Sequence, residues 1–87
     1  MREDYQRILK STFHKYLLQA SSKPHMTHAR MANMLAMGER SYVELDHGNS
    51  CCGALTLVRF QLYCCEDLEA FLEELRTAFE QEERDGH

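Results

Sequence analysis

Residues 27–48 read THARMANMLAMGERSYVELDHG, and this stretch decides the fold because it contains two short helical patterns with a turn between them. Thr27 can cap the first helix, since its hydroxyl can accept a hydrogen bond from a free amide of the first turn. The apolar residues that follow at helical spacing are Met31, Ala32 and Leu35. This spacing predicts a short helix over residues 28–35, with these three side chains facing inward.

A second short helix is predicted after the turn at residues 36–38. Gly38 can take its N-cap position, and Tyr42 and Leu45 are spaced to face inward together. Gly48 follows the last periodic residue and can adopt the left-handed conformation that closes many helices. The sequence therefore predicts a helix between Gly38 and Gly48 that buries Tyr42 and Leu45.

A longer helix is predicted before this unit. Between Asp4 and Ala20, apolar residues recur at spacings of three and four, which is typical of one face of an α-helix. They are Tyr5, Ile8, Leu9, Phe13, Tyr16, Leu17 and Ala20. The helix is expected to end within residues 21–25, because Pro24 disfavours helical geometry in the residue before it.

Two further helices are predicted in the second half of the chain. Residues 53–63 (GALTLVRFQLY) are apolar on most sides, which favours a buried central helix, while the β-branched Thr56 and Val58 leave a strand as the alternative. Asp67 can cap the last helix. The residues of its predicted buried stripe are Leu68, Phe71, Leu72, Leu75 and Phe79. Its acidic end opposes the helix dipole, so residues 81–87 are expected to fray.

Length and composition place these helices in one domain. The chain has 87 residues, too few for a second hydrophobic core, so we expect a single, compact, all-α, five-helix domain over residues 1–87, with its core over about 4–80. No apolar run approaches the roughly 20 residues of a membrane span. The mixed charges at the N-terminus are unlike a secretion signal, which favours a cytoplasmic location.

Charge is distributed unevenly along the chain. The net charge is −4, but residues 1–43 carry seven Lys or Arg against three Asp or Glu, whereas residues 44–87 carry three against eleven. A polyanion such as nucleic acid would be attracted by the first half and repelled by the second. The two halves are therefore expected to present different faces or to bind different partners, unless the acidic part is only a solvated helix.

Four cysteines occur as two adjacent pairs, Cys51-Cys52 and Cys64-Cys65. A helix between the pairs would separate them by roughly 18 Å, which is too far for a shared zinc site or a disulfide. We expect buried or half-buried thiols, with a redox-sensitive surface pair or a metal site spanning a dimer as the alternatives. No metal site within the chain, no cofactor and no pairing of nucleophile with base is indicated, so an enzyme is not expected.

The segment Met26–Gly48 resembles the helix-turn-helix of the phage-repressor-like, or XRE-type, family of regulators. In that family a Thr opens the second helix, an apolar-Ala pair packs inside it and a Leu precedes the turn. The matching residues are Thr27, Met31, Ala32 and Leu35. Two apolar residues of the third helix and an acidic-basic-Gly triplet complete the likeness. They correspond to Tyr42, Leu45, Asp46, His47 and Gly48. Ala36 stands where the family usually has a glycine.

The resemblance implies a lambda-repressor-like fold whose third helix reads bases in the major groove of double-stranded DNA. It places His28 where the family often has a DNA-contacting Gln, and Thr27 and Asn49 at phosphates. The residues that it leaves on the outward face of the third helix are Glu39, Arg40, Val43 and Glu44. Arg40 could bond a guanine edge, Glu39 or Glu44 could accept from a cytosine amino group, and Ser41 could reach phosphate or base.

Two functions follow as hypotheses. In the first, the chain is a transcriptional regulator that binds DNA as a homodimer, since one such module reads too few base pairs for useful specificity. In the second, the helix-turn-helix scaffold is kept, but the acidic C-terminal helix binds a protein partner. The predicted reading face carries two glutamates but only one arginine. Because the DNA backbone repels carboxylates, this composition supports the second hypothesis.

Overall fold

The computed structural model describes residues 2–50 and 52–85, and most of this part of the chain forms five α-helices. They are α1 (Arg2–Ser21), α2 (His28–Met34), α3 (Glu39–Asp46), α4 (Ala54–Tyr63) and α5 (Leu68–Asp85). The described residues contain no strand, so the predicted all-α, five-helix class is confirmed and the strand alternative for residues 53–63 is wrong. No described helix is both long enough and apolar enough to cross a membrane.

Aromatic rings form the centre of the core. Phe60 contacts Phe13 edge-on at 4.8 Å between ring centroids and Phe71 at 5.7 Å, so that one ring from α4 joins α1 to α5. Edge-to-face contacts of this kind add to the burial of apolar surface. The other buried hydrophobic residues are Leu17, Ala20, Met31, Ala32, Leu35, Tyr42, Leu45, Cys64 and Leu75.

The long helices α1 and α5 pack along each other. Tyr5 meets Phe79 at 5.4 Å between ring centroids near one end of the pair, and Tyr16 meets Phe71 at 5.1 Å further along. The apolar stripe predicted for the first helix is therefore its packing face, and the helix extends only slightly beyond the predicted range of 4–20.

Helices α2 and α3 end in the same backbone motif. After α2, the amides of Ala36 and Met37 donate to the carbonyls of Asn33 and Ala32, at 3.1 and 3.0 Å. After α3, Gly48 and Asn49 repeat the pattern onto Leu45 and Glu44. This is the Schellman motif, which requires a left-handed residue directly after the helix cap. Gly48 meets the requirement with φ 75°, as predicted, and Ala36 meets it with φ 57° despite its Cβ.

Replacing Ala36 with glycine is expected to raise the free energy of unfolding by roughly 0.5–1 kcal/mol. A left-handed non-glycine residue costs about 1–2 kcal/mol, and the greater freedom of glycine in the unfolded chain offsets part of the gain. Thermal unfolding measures the change, since about 1 kcal/mol raises the melting temperature by roughly 4–8 °C in a domain of this size. The matched control is Ala29→Gly in the helical part of α2, which should lower stability. A lower melting temperature for Ala36→Gly would contradict the proposed strain.

The caps of α2 and α5 are formed by the predicted residues. The Thr27 hydroxyl accepts from the backbone amide of Arg30 at 3.1 Å, and an Asp67 carboxylate oxygen accepts from the amide of Ala70 at 3.0 Å. Each bond satisfies one of the amides that a helix leaves free in its first turn. The residue that precedes each of these two helices therefore helps to determine where the helix begins.

Helix α4 corrects the expectation of a buried central helix. Its helical conformation is confirmed, but Phe60 is its only fully buried residue. Four of its large apolar side chains are exposed, namely Leu55, Val58, Leu62 and Tyr63. The physical reason is that α4 packs on one side only, towards α2 and the aromatic core, and no described element covers its other side.

Helix α5 departs from expectation at two places. Phe71 and Leu75 are buried as predicted and Phe79 packs against the core, but Leu68 and Leu72 are 38% and 47% exposed because they lie beside the buried face. Fraying is predicted from residue 81, and in the structure the helix continues to Asp85. Two side-chain contacts support that last turn, from Gln81 to Asp85 and from Arg84 to Gln81. Residues 86–87 lie outside the described chain.

Candidate nucleic-acid interface

Helix α3 has one buried face and one open face. Tyr42 and Leu45 are almost completely removed from solvent, which confirms the predicted inward pair. On the other side Val43 is half-buried, and the exposed side chains are those of Glu39, Arg40, Ser41 and Glu44. The four residues predicted for the outward face, Glu39, Arg40, Val43 and Glu44, are therefore brought together with Ser41 on one surface that a second molecule could contact.

The predicted contacts at the start of α2 lie next to this surface. Thr27 is exposed, and its hydroxyl keeps a hydrogen free to donate while its oxygen caps the helix. The ring of His28 is tilted against the ring of Tyr42 at 5.5 Å, and its Nε2 lies 3.9 Å from a carboxylate oxygen of Asp46. His28 is thereby oriented by α3, although about half of its side chain remains exposed.

Asn49 and Glu44 are joined to each other. The Asn49 side-chain amide donates to a Glu44 carboxylate oxygen at 3.2 Å, and the backbone amide of Asn49 donates to the Glu44 carbonyl. A phosphate that approached Asn49 would compete with the Glu44 carboxylate for the same donor. Residue spacing alone does not predict this hydrogen bond between Asn49 and Glu44.

Two residues that position α2 and α3 were missed at the level of sequence. His14 of α1 makes a 2.6 Å hydrogen bond from Nε2 to the carbonyl oxygen of Asp46, and its ring lies close to Gly48. Arg59 of α4 donates from Nε to the carbonyl oxygen of Met34 at 2.8 Å. Both place a ring or guanidinium nitrogen on a free carbonyl at a helix end, which is favourable for hydrogen bonding and for the helix dipole.

Part of the positive charge of the first half is neutralised by carboxylates. Three of its cations bind carboxylates, in the pairs Arg7–Asp4, Lys15–Glu74 and Lys23–Glu66. The Lys15 ammonium lowers the pKa of the Glu74 carboxyl, to which the Tyr16 hydroxyl contributes. Within residues 3–50, Lys10, Arg30 and Arg40 have no carboxylate partner. Two of these ion pairs, Lys15–Glu74 and Lys23–Glu66, join α1 and the loop after it to the acidic segment that starts at Glu66.

Three of the four cysteines are described, and Cys64 and Cys65 are free thiols. Cys64 is buried and Cys52 and Cys65 are half-buried, which confirms the expected burial for these residues, while Cys51 lies outside the described chain. Burial raises the pKa of the Cys64 and Cys65 thiols. Both are therefore protonated at neutral pH and weakly nucleophilic. Residues 2–50 and 52–85 contain no cluster of three or more His, Cys, Asp or Glu that could hold a metal ion.

Comparisons of the whole chain with models of known protein families, with curated proteins and with solved structures find no match. The interpretation of the α2–α3 surface therefore depends on its own geometry and chemistry.

Proposed function

We propose that the chain is a cytoplasmic transcriptional regulator that binds double-stranded DNA through α2, the turn at residues 35–38 and α3. The observation that carries the proposal is the division of α3, in which Tyr42 and Leu45 anchor the helix, Arg40 faces solvent on the opposite side and Ser41 is exposed beside the buried pair. A short helix held in this way can enter the major groove without disturbing the core.

The turn between the two helices gives independent support. Ala36 adopts a left-handed conformation at the position where the phage-repressor-like, XRE-type family usually has a glycine. A positive φ is the conformation that glycine adopts most readily, so the backbone at this position is compatible with the resemblance. Free thiols at Cys64 and Cys65 suit the reducing cytoplasm.

Each side chain of the surface has a chemistry suited to one part of a duplex. The Arg40 guanidinium can donate two parallel hydrogen bonds to a guanine edge, and Ser41 and Thr27 can donate to phosphate oxygens. The Glu39 carboxylate can accept from a cytosine amino group, as can that of Glu44 once it releases Asn49. His28 lies where it can add a contact beside Thr27, and Val43 can meet a thymine methyl group.

Arg40→Ala is expected to reduce sequence preference more than total DNA binding. A bidentate arginine–guanine contact is worth about 1–3 kcal/mol of discrimination, so the ratio of affinities for a selected duplex and a scrambled duplex should fall roughly 5- to 150-fold. Fluorescence anisotropy over a salt series measures both affinities, with the duplex chosen by in vitro selection. Arg76→Ala is the matched control, because it also removes an exposed arginine, but one that lies on α5 and not on α3. The absence of salt-sensitive binding to any duplex would remove the proposal.

The second candidate function is binding of a basic protein partner by α5. The observation in its favour is that carboxylates continue along the exposed sides of this helix to its end, including Glu69, Glu73, Glu80 and Glu83. Reversing the charge of Glu80 and Glu83 separates the candidates, since neither residue forms an ion pair within residues 3–85. DNA binding should be unchanged or stronger, whereas binding to a lysine-rich peptide should be lost if α5 is the functional surface.

A further inference from the structure

Helix α4 carries two apolar stripes of the same spacing on opposite sides. The inward stripe packs on the core and consists of Leu57, Phe60 and Cys64. The outward stripe consists of Leu55, Val58 and Leu62, which also follow one another at intervals of three and four. At 100° per residue the two stripes are separated by roughly 160° around the helix axis. The inward stripe attaches α4 to the core, whereas the outward stripe takes no part in the packing of the single chain.

The outward stripe is exposed and uncharged. Leu55 is 65% exposed, Val58 49% and Leu62 67%, and no described element covers them. The nearby guanidinium of Arg59 is directed to the Met34 carbonyl and the Tyr63 ring. Scattered single leucines on a surface need no explanation, but an apolar stripe along a whole helix is typical of an interaction site.

We infer that the outward stripe of α4 is a homodimer interface, in which α4 of one copy packs antiparallel against α4 of a second copy. Leu55, Val58 and Leu62 have the a, d, a spacing of a helix-pairing seam, for which the complementary surface is another seam of the same kind. A two-fold axis near Val58 makes the stripe complementary to itself, because Leu55 of one copy then meets Leu62 of the other.

The area of the stripe fits this occupant. An exposed apolar patch of three large side chains is on the order of a few hundred Å², and two such patches with their flanking residues reach about 1,000 Å² of buried surface. That is the lower limit for a specific interface and predicts a reversible dimer. A strongly charged partner is disfavoured, since the stripe offers no charge with which to bind it.

The dimer would supply the second half-site that the proposed function needs, but it shares no residue with the outward face of α3. Its test uses no DNA, so the dimer and the proposed DNA binding can fail separately.

Sedimentation equilibrium over a concentration series tests the inference. The wild-type chain is expected to approach twice its monomer mass of 10.2 kDa as concentration rises. Leu62→Glu should remain at the monomer mass, because two carboxylates would be buried against apolar side chains. The matched control is Leu18→Glu, which places the same charge at a 45% exposed leucine of α1 and should leave dimerisation unchanged. Leu62→Met should also dimerise.

Circular dichroism excludes misfolding of the Leu62→Glu chain as the cause of its smaller mass, since an exposed side chain should leave helix content unchanged. A wild-type chain that is monomeric up to several hundred micromolar would overturn the inference. So would a Leu62→Glu variant that dimerises as well as the wild type, because the interface would then lie elsewhere.

Discussion

Replacing Phe60 with alanine is expected to lower the free energy of unfolding by about 3–5 kcal/mol. The ring is completely buried, and it is the contact through which α4 reaches both Phe13 of α1 and Phe71 of α5. Alanine at this position would leave a cavity between three helices. Because domains of this kind are stable by only about 5–15 kcal/mol, the loss would bring the variant close to unfolding.

Urea denaturation followed by circular dichroism measures this effect. The control is Leu18→Ala, which truncates an apolar side chain at a partly exposed position and should cost less than about 1 kcal/mol. A loss below about 1 kcal/mol for Phe60→Ala would show that α4 is not held to the core by its aromatic ring. Oligomeric state should be recorded alongside, since dimer formation makes stability depend on concentration.

The local features of this fold could be predicted because short stretches of sequence determine them. Thr27 and Asp67 cap helices through bonds to amides three residues away, and Gly48 ends α3 by adopting a positive φ. The inward pair Tyr42 and Leu45 followed from helical spacing alone. In each case the residue acts within about one turn of its own position, so the neighbouring sequence is enough to predict the local structure.

The side of α4 that is covered could not be predicted, because composition does not say how many neighbours a helix has. Seven of its ten residues are apolar, which is typical of burial on all sides. In the structure only the stripe with Phe60 meets the core, and the opposite stripe with Leu62 is open. In the proposed dimer both stripes of α4 are covered, so the apolar composition of this helix fits its packing in the assembly rather than in the single chain.

The candidate site was predictable as a surface but not as a set of contacts. Spacing placed Arg40 and Glu44 outward, but the bond between Glu44 and Asn49 depends on how the chain turns after α3. Arg59 reaches Met34 over 25 positions in sequence, and His14 reaches Asp46 over 32. Contacts of this range depend on the relative placement of whole helices, which a periodic pattern does not contain.

Alkaline pH is expected to destabilise the chain through Tyr42. Burial raises the pKa of its hydroxyl from 10.0 to about 12, and the negative charge of Asp46, whose Oδ1 accepts a 3.4 Å hydrogen bond from the Tyr42 hydroxyl, acts in the same direction. The unfolded chain therefore loses this proton at lower pH than the folded chain. The stabilising contribution is complete below about pH 10 and is lost as pH rises towards 12, by an amount on the order of 2 kcal/mol.

Tyr42→Phe isolates this contribution, because it removes the ionisable group and keeps the buried ring. The raised pKa values of Tyr5, Tyr16, Cys64 and Cys65 act in the same direction, but these groups are present in both proteins and their effects cancel in the difference. Urea denaturation at a series of pH values from about 8 to 12 should show the two stabilities running in parallel up to about pH 10 and then separating, with the wild type falling faster. Parallel curves up to pH 12 would mean that the Tyr42 hydroxyl ionises as readily in the folded chain as in the unfolded one, and that α3 is not anchored with this group out of water.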